Sequence, residues 1–240
     1  MVSKNEFKYI QSLCHKKQRQ SEGLFIAEGP KLMDELLNSD YTIKKIYATK
    51  QWQQPKLAQS ISVVEVAEEE LERMSSLQTP NQVLAIVEQK QTILPELKNN
   101  ISLLLDGIQD PGNLGTIIRI ADWFGIKNIL CTNDTAELYN NKVIQSTMGS
   151  FVRTNIWYGD VVQEVLAKQA LPVYGALLNG TSIYELPKMK TGILVIGNEG
   201  KGIRENILPF LTKAVTIPKL GGAESLNAAV ATGIIVSHLI

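Results

Sequence analysis

Apolar residues along this chain gather into short runs separated by polar, helix-compatible stretches. Residues 6–20 are polar and compatible with one helix. Residues 24–27 form an apolar run closed by Gly29-Pro30, and proline suits a first helical turn, so 31–37 read as a helix. Residues 43–49, 62–66 and 83–87 read as strands, and 68–76 as an acidic helix. Beyond residue 100 the runs become nearly continuous, at 101–105, 129–131, 173–178, 193–196 and 214–217. Such runs suit strands covered on both faces, as in a parallel sheet. Helical segments are expected between and after them, at 114–124, 140–148, 160–169, 203–208 and 225–240. The pattern predicts an α/β protein. A parallel-sheet domain at 98–240 follows a smaller α/β domain at 1–97, with a polar, Pro95-containing linker at about 89–100.

Composition narrows the classes. With 240 residues, 44% hydrophobic and 20% charged, the chain has ample material for a core. Residues 226–240 are the most apolar stretch, but they are shorter than the roughly 20 residues of a membrane span and contain Asn, Thr, Ser and His. They read as a buried helix. The polar start, without an apolar signal core, gives the expectation of a cytoplasmic protein. Cys14 and Cys131 lie far apart, and His15 and His238 are the only histidines, so no metal-ligand spacing exists. Zero net charge gives the molecule no global attraction to nucleic acid. Residues 1–31 carry six Lys or Arg against three Glu, a local excess of +3. Lys16, Lys17 and Arg19 are candidates there for an RNA-facing patch; a solvated surface explains the same charges equally well.

Three polar turns carry the candidate chemistry. The first runs from Asp106 to Arg119; Asn113 is typed for an N-cap, and Gly125 for a helix stop. Leu114, Ile117, Ile118, Ala121 and Phe124 make one helical face, and Arg119 points away from it. A solvated arginine is the ordinary reading of that position; a guanidinium held against a phosphate is the functional one. The second turn is Gly197-Asn-Glu-Gly-Lys-Gly202. Val195 stands where a P-loop needs glycine and no Ser or Thr follows Lys201, so this is not a nucleotide phosphate loop. The third turn runs from Ile217 to Asn227, where Ser225 is a plausible N-cap for the last helix.

In order and spacing these turns resemble the three signature motifs of the SpoU, or TrmH-like, branch of the SPOUT RNA methyltransferases. The motifs are Asn113-Leu-Gly-Thr-Ile-Ile-Arg119, Ile196-Gly-Asn-Glu-Gly-Lys-Gly202 and Ile217-Pro-Lys-Leu-Gly-Gly-Ala-Glu-Ser-Leu-Asn227. Residues 4–87 resemble the small L30e-like substrate-binding domain that often precedes this catalytic domain, best over Phe25-Ile-Ala-Glu-Gly29. The layout is closest to the ribosomal-RNA 2′-O-methyltransferases. The resemblance implies a parallel sheet with a deep trefoil knot near the carboxyl terminus and a homodimer built through the last helix. It also implies S-adenosylmethionine held by Gly197, Asn198, Gly200, Ile217, Ser225 and Leu226.

Asn113, Arg119, Glu199, Ser225 and Asn227 match the family's active-site positions. The resemblance implies that Arg119 and a second subunit's Ser225 act on the ribose hydroxyl. A guanidinium does not release its proton near neutral pH, so phosphate binding and stabilisation of the developing alkoxide suit Arg119 better. Two alternatives stay open from the sequence: a tRNA substrate, and an inactive RNA-binding or ribosome-assembly protein on the same fold.

Overall fold

The computed structural model describes residues 2–53, 58, 60–168 and 170–240. The chain divides into two compact units, one of residues 1–91 with 138–152 and one of residues 92–137 with 153–240.

The first unit is built on a four-stranded sheet in the order β1-β4-β2-β3. Its strands are β1 (Leu24–Glu28), β2 (Ile43–Ala48), β3 (Val63–Glu65) and β4 (Val83–Glu88). β4 pairs antiparallel with β1 and β2, and β3 runs parallel to β2. Helices α1 (Lys4–Ser12) and α2 (Lys16–Glu22) precede β1, α3 (Pro30–Leu37) joins β1 to β2, and α4 (Glu68–Met74) joins β3 to β4. Phe7, Ile10, Leu13, Ile26, Tyr47, Leu71, Met74, Leu84 and Ile86 form the core.

The single helix expected over 6–20 is two helices. Arg19 explains the break. Its side chain is only 1% exposed, and its guanidinium donates to the carbonyls of Leu13 (3.1 Å) and Cys14 (2.7 Å). Those carbonyls end α1 without helical partners, and the buried cation satisfies them. Arg19 is therefore a structural residue, and the expectation that it faces RNA is corrected. Lys16 and Lys17 are exposed.

Residues 138–152, which the sequence placed in the second domain, pack within this unit. Helix α6 (Asn141–Thr147) sends the Gln145 amide to the Glu28 carbonyl at 2.9 Å. Tyr139 and Phe151 join Phe25 and Tyr41 in an aromatic cluster with ring centroids 4.6 to 6.0 Å apart.

The second unit holds a six-stranded sheet in the order β10-β8-β9-β5-β6-β7, with every pairing parallel. Its strands are β5 (Ile101–Asp106), β6 (Asn128–Thr132), β7 (Asn155–Gly159), β8 (Val173–Ser182), β9 (Gly192–Gly197) and β10 (Lys213–Thr216). β5, β6 and β9 are buried along nearly their whole length, as continuous apolar runs require. Helix α5 (Pro111–Trp123) follows β5, and α7 (Ala228–Leu239) closes the chain. The two helices approach closely: a methyl at Gly233 would sit 3.5 Å from Ile120 Cδ1.

Several boundaries differ from expectation. Asp110, not Asn113, caps α5, accepting from the Asn113 N–H at 2.8 Å. Asn227, not Ser225, caps α7, its Oδ1 accepting from the N–H groups of Ala229 (3.0 Å) and Val230 (3.2 Å). Gly125 does follow α5 in the left-handed conformation, at φ 72°. No α-helix forms over 203–208; only a short 3₁₀ turn, Leu208–Phe210, begins at its end, and Pro209 disfavours the α conformation in the residue before it. Residues 161–166 form a π-helical turn where an α-helix was expected. Strand β7 was not anticipated.

Candidate active site

The strand order reverses direction beside β5: the chain moves outward through β6 and β7, then returns to β8 and β9 on the other side. In open parallel sheets the crevice outside the carboxyl ends of strands at such a point is where ligands bind. The register sets Asp106, the last residue of β5, beside Gly197, the last of β9. The polar turns of the sequence leave the sheet from these ends.

A cleft of about 860 Å³ opens there, bordered by 176–179 on β8, 196–203 after β9, 215–221 after β10 and 223–226 ahead of α7. That volume lies in the range of small-molecule sites. Ile196, Leu177, Val215, Ile217 and Ile235 give it an apolar lining, and Glu199, Lys201, Lys219 and Glu224 bring charge to it. Gly197, Asn198, Gly200, Ile217, Ser225 and Leu226, the positions expected to hold the cofactor, all line the cleft. Leu178, which the sequence marked only as the end of an apolar run, and Asn179, which it did not mark, line it too.

The glycine-rich turn is compact. A Cβ on Gly197 would lie 2.3 Å from the Gly202 carbonyl carbon, so glycine is required by the turn's own backbone. Asn198 and Gly202 exchange backbone hydrogen bonds of 2.8 and 3.1 Å. The Asn198 side chain accepts from the N–H groups of Gly200 and Lys201 and donates to the Gly107 carbonyl at 2.7 Å. Gly202 adopts φ 69°, a left-handed conformation that glycine takes without strain.

The three motifs meet in one chain of hydrogen bonds. The Asn113 amide donates to Glu199 Oε1 at 2.6 Å, and the Asn227 amide donates to Asn113 Oδ1 at 2.8 Å. Asn227 Oδ1 in turn receives the first N–H groups of α7. Four of the five candidate catalytic residues are thus at the cleft: Glu199 and Ser225 border it, and Asn113 and Asn227 are bonded through to Glu199. Arg119 stands apart. It is exposed on α5, about 120° around the helix and about 9 Å along it from Asn113, and outside the cleft lining.

Behind the turn lies a second polar cluster that the sequence did not reveal. Arg204 donates its backbone N–H to Asp106 Oδ2 at 2.8 Å and its Nε–H to Asp106 Oδ1 at 2.5 Å. Its terminal nitrogen reaches Thr132 Oγ1 at 3.0 Å and Asp134 Oδ1 at 2.7 Å. Asp106 is fully buried. Partial burial pushes the Asp134 carboxyl up, but the bonds from Arg204 and Thr132 outweigh it and leave it below its ordinary range. Among the described residues no group of three or more His, Cys, Asp or Glu side chains is placed to hold a metal ion.

This is the architecture of a ligand-binding protein of the parallel α/β kind, with a cleft of small-molecule size at the switch point. The sequence profile of the SpoU rRNA methylase family matches residues 100–237, and that of the MRM3-like substrate-binding domain matches residues 4–85. The chain belongs to the SpoU rRNA methylase family. It is 35% identical over 231 residues to the 23S rRNA (guanosine(2553)-2′-O)-methyltransferase RlmP of Bacillus subtilis, covering 93% of this chain and 91% of that protein. A TrmH-family RNA methyltransferase structure from Porphyromonas gingivalis superposes with a TM-score of 0.88 at 37% identity, over 100% of this chain and 98% of that one. The AdoMet-bound rRNA methyltransferase of Sinorhizobium meliloti superposes with a TM-score of 0.87 at 29% identity, over 100% and 96%.

Proposed function

We propose that this chain transfers the methyl group of S-adenosylmethionine to a ribose 2′-hydroxyl of ribosomal RNA. The observation that carries the proposal is the Asn227–Asn113–Glu199 hydrogen-bonded bridge beside a cleft of cofactor size, in a chain of this family. S-adenosylmethionine, when bound, supplies a methyl group made electrophilic by its sulfonium. The residues present suit it. Backbone groups of Gly197, Ile217 and Leu226 border an apolar slot for the adenosyl part, with Asn198 and Gly200 fixing the turn beside it. Glu199, held by the Asn113 amide, orients polar groups at the cleft's edge.

Arg119, exposed on α5, holds an RNA phosphate and stabilises the alkoxide as it develops on the ribose. Exposed Lys16 and Lys17 add phosphate contacts from the first unit. The active form is a homodimer in which a second copy brings Ser225 to the site. Exposed Trp123 (85%), Val230 (52%) and Leu226 (45%) on and beside α5 and α7 support that interface. Segments 196–203 and 215–226, which share one cleft, support a knotted path through the second motif. The site of action is the cytoplasm, where bacterial ribosomal RNA resides; among the described residues no helix is long and apolar enough to cross a membrane.

Mass-spectrometric mapping of ribose methylation, in RNA from cells with and without this protein, tests the proposal. One 2′-O-methyl group absent from ribosomal RNA of the deleted strain is expected. Loss confined to tRNA would refute the ribosomal assignment, and no loss anywhere would favour the inactive alternative.

A further inference from the structure

We propose that Arg204 is a positioning residue for the cofactor-binding turn, an inference that rests on the reading of the cleft given above. Arg204 follows the cleft-lining segment 196–203 and is itself outside the lining. It acts, therefore, through the turn and not on the bound molecule. Its four hydrogen bonds tie the end of the turn to the ends of two neighbouring strands: twice to Asp106 of β5, and to Thr132 and Asp134 at the end of β6. The front of the turn is tied to the same place by the Asn198 amide on the Gly107 carbonyl, at 2.7 Å. The Thr132 hydroxyl accepts from the Gly107 N–H at 2.9 Å, so one cluster holds both strand ends and both ends of the turn.

The chemistry requires this pairing. Asp106 is wholly removed from water, and a buried carboxylate needs a charged, hydrogen-bonded partner. The planar fork of arginine meets Asp106 with one nitrogen and Thr132 and Asp134 with another, which an ammonium cannot do. There is little slack: a methyl on Gly107 would lie 3.2 Å from Asp134 Oδ2 and 3.4 Å from the Arg204 terminal nitrogen. The turn itself contains Gly197, Gly200 and Gly202 and would otherwise sample many conformations. Fixing it in advance lowers the cost of ligand binding.

The test is isothermal titration of the full chain with S-adenosylmethionine, alongside circular dichroism and thermal melting. Arg204→Lys keeps the charge and loses the fork; its Kd is expected to rise about tenfold or more, as the loss of charge-assisted hydrogen bonds implies. Saturating cofactor should then restore most of the methyl transfer, a defect in KM more than in kcat. Asp134→Ala with Thr132→Val removes the outer partners of Arg204, and with them the acceptor of the Gly107 N–H, while leaving both bonds to Asp106, and is expected to weaken binding about three- to fivefold. A merely structural role lowers the melting temperature and leaves Kd within twofold in variants that remain folded; that result overturns the proposal. Should Arg204→Lys not fold, the Asp134/Thr132 variant decides by the same criterion. If the unaltered chain binds no S-adenosylmethionine, the reading of the cleft fails. Amide exchange at 198–203 then decides this proposal alone: faster exchange in Arg204→Lys supports it, and unchanged exchange overturns it.

Discussion

At the scale of single residues, the site separates groups that touch the cleft from groups that must meet the substrate. Arg119 is exposed and lies outside the cleft lining, so Arg119→Ala should lose methyl transfer by about 100-fold or more while the Kd for S-adenosylmethionine stays within about threefold. Full turnover in a filter-binding methyl-transfer assay would remove Arg119 from the mechanism. Asn113→Ala breaks both halves of the bridge to Glu199 and Asn227 and should lower kcat by roughly 10- to 100-fold. Asp134 sets a pH dependence. Its carboxyl titrates below its ordinary 3.8 in the folded protein, because the hydrogen bonds from Arg204 and Thr132 outweigh desolvation. A depressed acid stabilises the fold above its unfolded pKa and loses that contribution as pH falls through the folded value. The melting temperature of the parent should exceed that of Asp134→Asn at pH 6, and the gap should close below about pH 4. A gap that widened in acid would contradict the ion pair with Arg204.

At the scale of elements, legibility followed how local each cause was. β5, β6 and β9 were readable because each is a contiguous apolar run buried along nearly its whole length, and β8 was readable from its apolar run at 173–178 although the strand is mostly only partly covered. β7 was not: it is an edge strand whose first residue, Asn155, is exposed and whose last two, Tyr158-Gly159, are only partly covered, and its apolar signal is confined to Ile156–Tyr158. The break between α1 and α2 depends on a buried Arg19, which looks like any surface cation in the sequence. Arg204 and Asp106 are 98 residues apart and meet only because β5 and β9 pair in register. A pattern of neighbours cannot show that. The motif residues were legible as polar turns that come together but not as caps, since Asp110 and Asn227 took the roles that Asn113 and Ser225 were typed for. The turn after β9 offers a sharp test. Gly197→Ala forces a methyl against the Gly202–Ile203 backbone, so the turn must open, and S-adenosylmethionine affinity should fall about tenfold or more in titration calorimetry. Leu104→Ala, in the fully buried centre of β5, should instead cost about 2–5 kcal/mol of stability in urea unfolding.

At the scale of the whole chain, the first unit is discontinuous in sequence. Residues 138–152 leave the parallel-sheet half of the chain and complete the aromatic and helical packing of the other unit. A single cut near residue 98 has no way to represent that excursion. The proposed dimer makes its own demand: Trp123→Lys places a charge on the most exposed apolar position of α5 and should convert a dimer to a monomer in light scattering at micromolar concentration. An unaltered chain that is already monomeric would contradict the dimer. The most direct measurement is transfer of a deuterated methyl group from S-adenosylmethionine to ribosomal RNA by the purified chain, followed by nucleoside mass spectrometry. The label should appear on a ribose 2′-oxygen; label on a base, or none despite cofactor bound in the cleft, would contradict the proposed chemistry.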